Sequence, residues 1–362
     1  VRLLIAGGGT GGHLYPGIAL ADEAIRRGGS DVLFVGTSRG IETRAVPAAG
    51  YALETLQVTG LKRMGLVGTV RGLFRVPLAL FRSLAILRRF RPDVVVGVGG
   101  YASGPMVLAA ALAGYPTAIQ EQNSVPGITN RILGKLVRRV FIAFDEAARF
   151  FPSRKIERLG NPVRKAIVAA LEGVAASPTS DGKLRILVVG GSQGARAVSE
   201  LVMTAAPMLA SKGVDFSLVH QTGTTDFERI QAKYRELGLD GRVQVQPFID
   251  NMAAAYGAAD LIIGRAGALT LAELAIVGKP AILVPLPTAA DDHQSKNAAH
   301  FAQVGAALVL NQRSSSAEDL ATAITTLAQD GGRRSAMGTA MHGLARPRAA
   351  EQIVDGLRAL TS

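Results

Sequence analysis

The sequence predicts an α/β protein made of two doubly wound parallel-sheet domains that face a cleft. Three observations carry this. The 362 residues correspond to two domains at about 150 residues each. Short runs rich in Val, Ile and Leu recur, each followed by glycine and a stretch of helical periodicity, as in buried parallel strands with helical crossovers. The series also ends and begins again halfway along the chain.

Taken in order, strands are expected at residues 3–6, 32–35, 94–98, 117–120 and 140–143 in the first half. In the second they are expected at 185–189, 216–220, 243–246, 261–263 and 281–284. Between the two series, Gly160-Asn161-Pro162-Val163-Arg164 supplies turn-forming residues suited to a hinge. The boundary is therefore placed near Asn161, giving domains 1–162 and 163–344.

Composition narrows the function. With 48% hydrophobic and 19% charged residues and 42 glycines, the chain is neither disordered nor fibrous. It has no cysteine, which excludes disulfides, thiol nucleophiles and thiolate metal sites. Its opening residues run directly into glycines without the charged, apolar and small-residue blocks of a secretory signal, and a cytoplasmic protein is expected. Charge is lopsided: residues 1–162 hold 21 Lys and Arg against 10 Asp and Glu, the remainder 19 against 18. A basic first half points to a polyanionic partner, either an anionic membrane or nucleic acid.

The strongest local motif is Gly7-Gly8-Gly9-Thr10-Gly11-Gly12-His13, followed by a helical pattern over 14–27. Glycines let backbone N–H groups approach an anion, and a helix N-terminus adds a favourable dipole. The spacing satisfies the dinucleotide fingerprint, but the second strand ends in Val35-Gly36-Thr37 and offers no acid for a ribose. A nicotinamide or flavin enzyme is disfavoured on that ground. No phosphate-loop string of the G-x-x-x-x-G-K-[ST] type occurs at the glycine turns either. Further glycine turns follow the strands at Gly97–Pro105, Gly190–Gly194 and Gly264–Gly267. In open parallel sheets ligands bind outside the carboxyl ends of strands, so loops of both halves are expected to face one crevice holding a phosphate-bearing ligand.

His13 is the leading candidate for a general base, because the positive end of a helix dipole keeps an imidazole neutral. The competing role is a helix cap or a donor to phosphate. Glu121 is the second candidate. No D-x-D pair, His-x-x-x-His pair or cysteine set is present to hold a metal, and Asp291-Asp292 reads as a solvated loop, so no metal and no cofactor are expected. His220, His300 and His342 lack a partner pattern and read as structural.

Between Glu54 and Asp93 there are eight Lys and Arg and no acid. Arg71, Arg75, Arg82 and Arg89 fall on one helical stripe, with Phe74, Leu78 and Phe81 beside it. Charges recur too often for a membrane span, and an interfacial helix on anionic lipid is expected, with Pro77 kinking or dividing it. The alternative is a helix packing its apolar side on its own sheet. Nucleic acid is disfavoured because no recognition motif accompanies the charge.

Beyond this point the motifs resemble a known family over almost the whole chain. Gly8–His13 with Pro16-Gly17, Gly99–Pro105 and Glu121-Gln122-Asn123 look like the first half of the MurG family. Gly160–Arg164, Gly190–Ala195, Phe248-Ile249-Asp250 and Arg265 through Glu273 look like its second half. That family comprises the N-acetylglucosamine transferases of peptidoglycan synthesis, which use UDP-GlcNAc to convert the undecaprenyl-linked lipid I to lipid II. The resemblance implies the two-Rossmann glycosyltransferase B fold, whose last helix crosses back to the first domain; residues 345–362 are the candidate. It also implies inversion at the anomeric carbon, an enzyme peripheral to the cytoplasmic membrane face, and a place in cell-wall biogenesis and division.

Carried onto this sequence, the resemblance places Thr10, Gly11 and Gly12 near the diphosphate or sugar and Asn123 on the sugar. Arg164 and Ser192 would lie near nucleotide and phosphates, and Ile249 against uracil. Ala268, Leu269 and Thr270 would hold phosphates by their backbone, with Leu271 and Ala272 in the same substrate-binding segment, Glu273 would hold the ribose hydroxyls, and Gln294 the GlcNAc hydroxyls, with His293 as its alternative. Other enzymes of this fold, such as a lipid glycosyltransferase or a UDP-GlcNAc epimerase, and a non-catalytic nucleotide-sugar module remain the alternatives.

Overall fold

A computed structural model describes residues 1–58, 66–172, 182–190, 194–289 and 292–361, with backbone alone at 66–76, 166 and 170–172. The chain forms two compact units, Val1–Lys165 with Arg346–Ser362, and Ala166–Ala345.

Unit 1 runs β1 (Arg2–Gly7), α1 (Gly11–Arg26), β2 (Asp31–Thr37), α2 (Glu42–Ala48), β3 (Ala52–Leu56), α3 (Leu66–Phe90) and β4 (Val94–Gly99). It continues through α4 (Ser103–Leu112), β5 (Thr117–Glu121), α5 (Ile128–Leu136), β6 (Arg139–Ile142) and β7 (Ile156–Arg158). Its seven strands lie in the order β3-β2-β1-β4-β5-β6-β7, every neighbouring pair parallel. Because side chains alternate along a strand, Leu4, Ala6 and Val95 face one layer, where Leu87 of α3, Met106 of α4 and Leu133 of α5 meet them. Leu3, Ile5 and Val96 face the other, against Leu14 and Ile18 of α1.

That second layer also takes the helix α14 (Ala349–Arg358), through the buried Ile353, Val354 and Leu357. Arg27–Asp355 and Arg26–Glu351 pairs join α14 to α1 at the surface. Exposed pairs contribute about 0–1 kcal/mol, whereas each buried aliphatic side chain contributes about 2–5 kcal/mol against truncation, so apolar packing is what holds α14. The helix α3 is continuous through Pro77, so Pro77 does not divide it; the missing N–H costs one backbone bond in a long helix.

After α6 (Lys165–Glu172), unit 2 runs β8 (Leu184–Val189), α7 (Arg196–Ser211), β9 (Phe216–Gln221), α8 (Phe227–Glu236), β10 (Val243–Gln246), α9 (Met252–Ala258) and β11 (Leu261–Gly264). After these come α10 (Ala268–Val277), β12 (Ala281–Leu283), α11 (His293–Gln303), β13 (Ala307–Val309), α12 (Ala317–Gln329) and α13 (Gly331–Gly343). Its six strands are ordered β10-β9-β8-β11-β12-β13, again all parallel. Val202 and Leu209 of α7 and Ile324 and Leu327 of α12 close its core over Ile186, Val188 and Phe216. In each sheet the strand order reverses at its first strand, between β1 and β4 in unit 1 and between β8 and β11 in unit 2, the position where doubly wound sheets bind ligands.

Candidate active site

At the switch point of unit 1, the loops after β1 and β4 touch. Gly8 N–H donates to the Gly99 carbonyl at 3.3 Å. Gly100, at φ +84°, lies so close to Gly8 that any Cβ there would strike its carbonyl. Thr10 is extended and precedes α1, so Gly11, Gly12 and His13 form the first turn of that helix, where the His13 N–H donates to the Thr10 carbonyl at 3.2 Å.

A buried carboxylate supports the first loop. Glu42 accepts the Gly9 N–H at 2.7 Å through one oxygen and, through the other, the Thr37 N–H and hydroxyl, both at 2.7 Å. Burial alone would raise its pKa, but these hydrogen bonds more than offset that and hold the group below the usual carboxylate range. Sequence reasoning missed Glu42. An acid does follow β2, five residues beyond Thr37, yet it turns inward onto the glycine loop instead of outward to a ribose. Side chains at Gly8, Gly36 or Gly40 would occupy its place, and that cluster of glycines around one acid was the available signal.

His13 is half-buried, with Nδ1 3.2 Å from Gln122 Oε1. A Cβ on Gly99 would come within 2.6 Å of the same nitrogen, so the ring lies directly on that glycine. Glu121 is 1% exposed, and its carboxylate accepts Asn123 N–H at 3.0 Å and Asn130 Nδ2 at 2.7 Å. Burial pushes its pKa up against those hydrogen bonds. The second base candidate is therefore enclosed by protein, and it orders the loop that carries Asn123. Arg164 belongs to unit 1, where its guanidinium stands 5.5 Å from the ring centre of Tyr15 on α1.

In unit 2, the loops after the adjacent strands β11 and β12 are joined by Arg265, which donates to the Val284 and Pro285 carbonyls at 2.9 and 3.3 Å. Gly267 precedes α10, so Ala268, Leu269 and Thr270 supply the first-turn amides. Leu271 follows them, fully buried, and its N–H donates to Gly267 O at 3.0 Å. Ala272 comes next along the helix.

Glu273 receives the Tyr256 hydroxyl at 3.0 Å. Burial and that neighbouring carboxylate raise the phenol well above its usual range, so it remains a donor. Gln294 Oε1 accepts Leu286 N–H at 3.0 Å, which directs its amide NH2 away from that backbone. Ile249 sits half-exposed between β10 and α9. His293, the alternative to Gln294, opens α11. Ser192 lies outside the described residues.

Of the proposed membrane residues, the side chains of Arg71, Phe74 and Arg75 are outside the described set. Leu78 and Phe81 are exposed, Phe81 at 71%, and so is Arg82. Arg89, expected on the same stripe, is paired with Glu54 of β3. Sequence reading missed a second apolar row on the same layer, Ile128, Ile132 and Leu136 of α5, all exposed, with exposed Leu112 at the end of α4. Its signal was the four-residue spacing. No helix among the described residues is long and apolar enough to cross a membrane.

Two parallel-sheet α/β units, each doubly wound with loops gathered at its switch point, make up the glycosyltransferase B fold. Residues 3–142 match the glycosyltransferase family 28 N-terminal domain and 185–353 the family 28 C-terminal domain. The UDP-N-acetylglucosamine--N-acetylmuramyl-(pentapeptide) pyrophosphoryl-undecaprenol N-acetylglucosamine transferase of Anaeromyxobacter dehalogenans (strain 2CP-C) is 49% identical over 98% of this chain and 92% of its own. Its namesake from Syntrophus aciditrophicus (strain SB) is 44% identical over 99% of both chains. The crystal structure of Acinetobacter baumannii MurG superposes with a TM-score of 0.82 at 33% identity, covering 99% of each chain. A UDP-GlcNAc 2-epimerase from Neisseria meningitidis bound to UDP-GlcNAc gives 0.70 at 14% identity over 99% of this chain and 100% of its own, a likeness of fold alone. The chain belongs to the MurG family of N-acetylglucosamine transferases.

Proposed function

We propose a division of labour between the two units for the reaction of this family. The chain transfers GlcNAc from UDP-GlcNAc to the 4-hydroxyl of the N-acetylmuramoyl residue of lipid I, giving lipid II and UDP in peptidoglycan synthesis. Unit 2 holds the donor. The amides of Ala268, Leu269 and Thr270, at the positive end of α10, meet the diphosphate, and Ser192 adds a donor to it. Glu273, oriented by Tyr256, accepts the ribose hydroxyls. Ile249 packs on uracil, and the amide NH2 of Gln294 donates to the GlcNAc hydroxyls.

Unit 1 holds the acceptor and the base. Thr10, Gly11 and Gly12 line the sugar and diphosphate, and Asn123, ordered by Glu121, contacts the sugar. His13 takes the proton of the acceptor hydroxyl as that oxygen bonds to the anomeric carbon. The bond from this carbon to the diphosphate oxygen breaks, and UDP leaves with the electron pair. One direct displacement inverts the centre, so an α-linked donor gives a β-linked product. The leaving charge is met by backbone amides and a helix end, without a metal or cofactor.

The observation that carries this reading is His13 seated on Gly99 and bonded to Gln122 at the unit 1 switch point. The test is turnover of labelled UDP-GlcNAc with a lipid I analogue. His13→Ala is expected to lower kcat by about 10²–10⁴. Unchanged turnover would remove the base assignment.

The acceptor is carried in lipid, and the enzyme is peripheral to the membrane. We assign the contact to the α3, α4 and α5 layer of unit 1, with Leu78, Phe81, Leu112, Ile128, Ile132 and Leu136 entering the interface and Arg82 meeting anionic headgroups at the cytoplasmic face. The charge of this half thus serves a lipid surface and not nucleic acid.

A further inference from the structure

We propose that Gln122 is a positioning residue that decides which ring nitrogen of His13 carries the proton, and so leaves Nε2 as the basic atom. The inference rests on His13 being the base and specifies how that base is prepared.

The argument is one of hydrogen-bond polarity. Between His13 Nδ1 and the Gln122 amide, 3.2 Å apart, one side must donate. The other end of that amide settles which. Its nitrogen donates to the Val98 carbonyl at 2.8 Å and to Gln120 Oε1. Gln120 Nε2 donates to Asn161 Oδ1 at 3.0 Å, and Asn161 Nδ2 donates to the backbone carbonyl of Gln122 at 3.1 Å. Three side-chain amides thus form a chain anchored on two backbone carbonyls, Val98 O and Gln122 O, which only accept.

Rotating any one amide would set oxygen against oxygen. The Gln122 side chain therefore presents Oε1 to His13, and an amide oxygen only accepts. His13 Nδ1 carries the hydrogen, and in the neutral ring the lone pair is on Nε2. Gln120, Gln122 and Asn161 are all buried, at 0%, 1% and 4% exposure, so water does not compete for these bonds. The ring lies directly on Gly99, where only a glycine leaves it room.

This direction is built from strand ends that lie side by side. Gln120 is the last residue but one of β5, Gln122 directly follows that strand, and Val98 is the last residue but one of β4. Asn161 comes from the Gly160–Arg164 turn, which ties that turn to the base of unit 1 without touching a substrate.

The test is the nitrogen spectrum of histidine-labelled enzyme, full length, with His13→Ala used to assign the His13 signals. In the wild type the neutral ring is expected to show a protonated Nδ1 and a bare Nε2. Gln122→Met, similar in size but unable to accept, is expected to move proton population onto Nε2 and to lower kcat by at least about tenfold. The KM for UDP-GlcNAc is expected to stay within about twofold, because the donor is held by unit 2. In a His13→Ala background, Gln122→Met is expected to cost nothing more. A wild-type ring protonated on Nε2, or an equal loss from Gln122→Met with and without His13, would overturn the proposal. The base assignment fails separately, by full turnover in His13→Ala, while the wild-type spectrum still reports the tautomer.

Discussion

His220 lies wholly inside unit 2, where Nδ1 meets the Tyr234 hydroxyl at 3.0 Å and Nε2 the Ser199 hydroxyl at 3.1 Å. Burial lowers its pKa from 6.5 to about 4, so the folded ring stays neutral where the unfolded one takes a proton. Its stabilising effect is full above about pH 6.5 and is lost as pH falls toward 4, by at most about 3 kcal/mol. Urea midpoints should fall from pH 7 to pH 5, and His220→Gln should flatten that dependence; an unaltered slope would show the ring is not the titrating group. His13 was legible in the sequence because its glycines and helix start are neighbours in the chain. Glu42 and Gln122 were not, since each acts on a group 33 or 109 residues away, and only the sheet brings them together.

At the scale of elements, the strands foreseen, apart from the edge strand β10, are interior strands of the two sheets, where a continuous apolar run is unavoidable. The strands missed, Ala52–Leu56, Ile156–Arg158 and Ala307–Val309, are edge strands. One flank of an edge strand is unpaired, so Leu53-Glu54-Thr55 and Ile156-Glu157-Arg158 carry polar residues and lack the run that marks an interior strand. The α5 row escaped notice for a related reason: three apolar residues at four-residue spacing look like a core face until the sheet is seen to be covered from the other side by Leu133. Burying a large apolar side chain is worth about 1.5–3 kcal/mol, and a basic residue near an anionic surface about 1 kcal/mol. Phe81→Ser with Ile132→Ser should therefore weaken flotation with phosphatidylglycerol vesicles by at least tenfold and leave UDP-GlcNAc binding intact. Equal flotation of variant and wild type would remove this face from the membrane contact.

For the whole molecule, the restart of the strand series and the charge asymmetry were both written in the sequence. The last helix joins unit 1 through Ile353, Val354 and Leu357, an arrangement that no local pattern in residues 345–362 specifies. The central claim is that donor recognition resides in unit 2 and proton removal in unit 1. Calorimetric titration of UDP-GlcNAc into wild type, Glu273→Ala and His13→Ala tests it directly. Loss of the carboxylate's charge-assisted hydrogen bonds, worth about 1.5–3 kcal/mol, should weaken binding about 10- to 100-fold in Glu273→Ala. His13→Ala should bind the donor as the wild type does. Full affinity in Glu273→Ala together with lost affinity in His13→Ala would contradict the account.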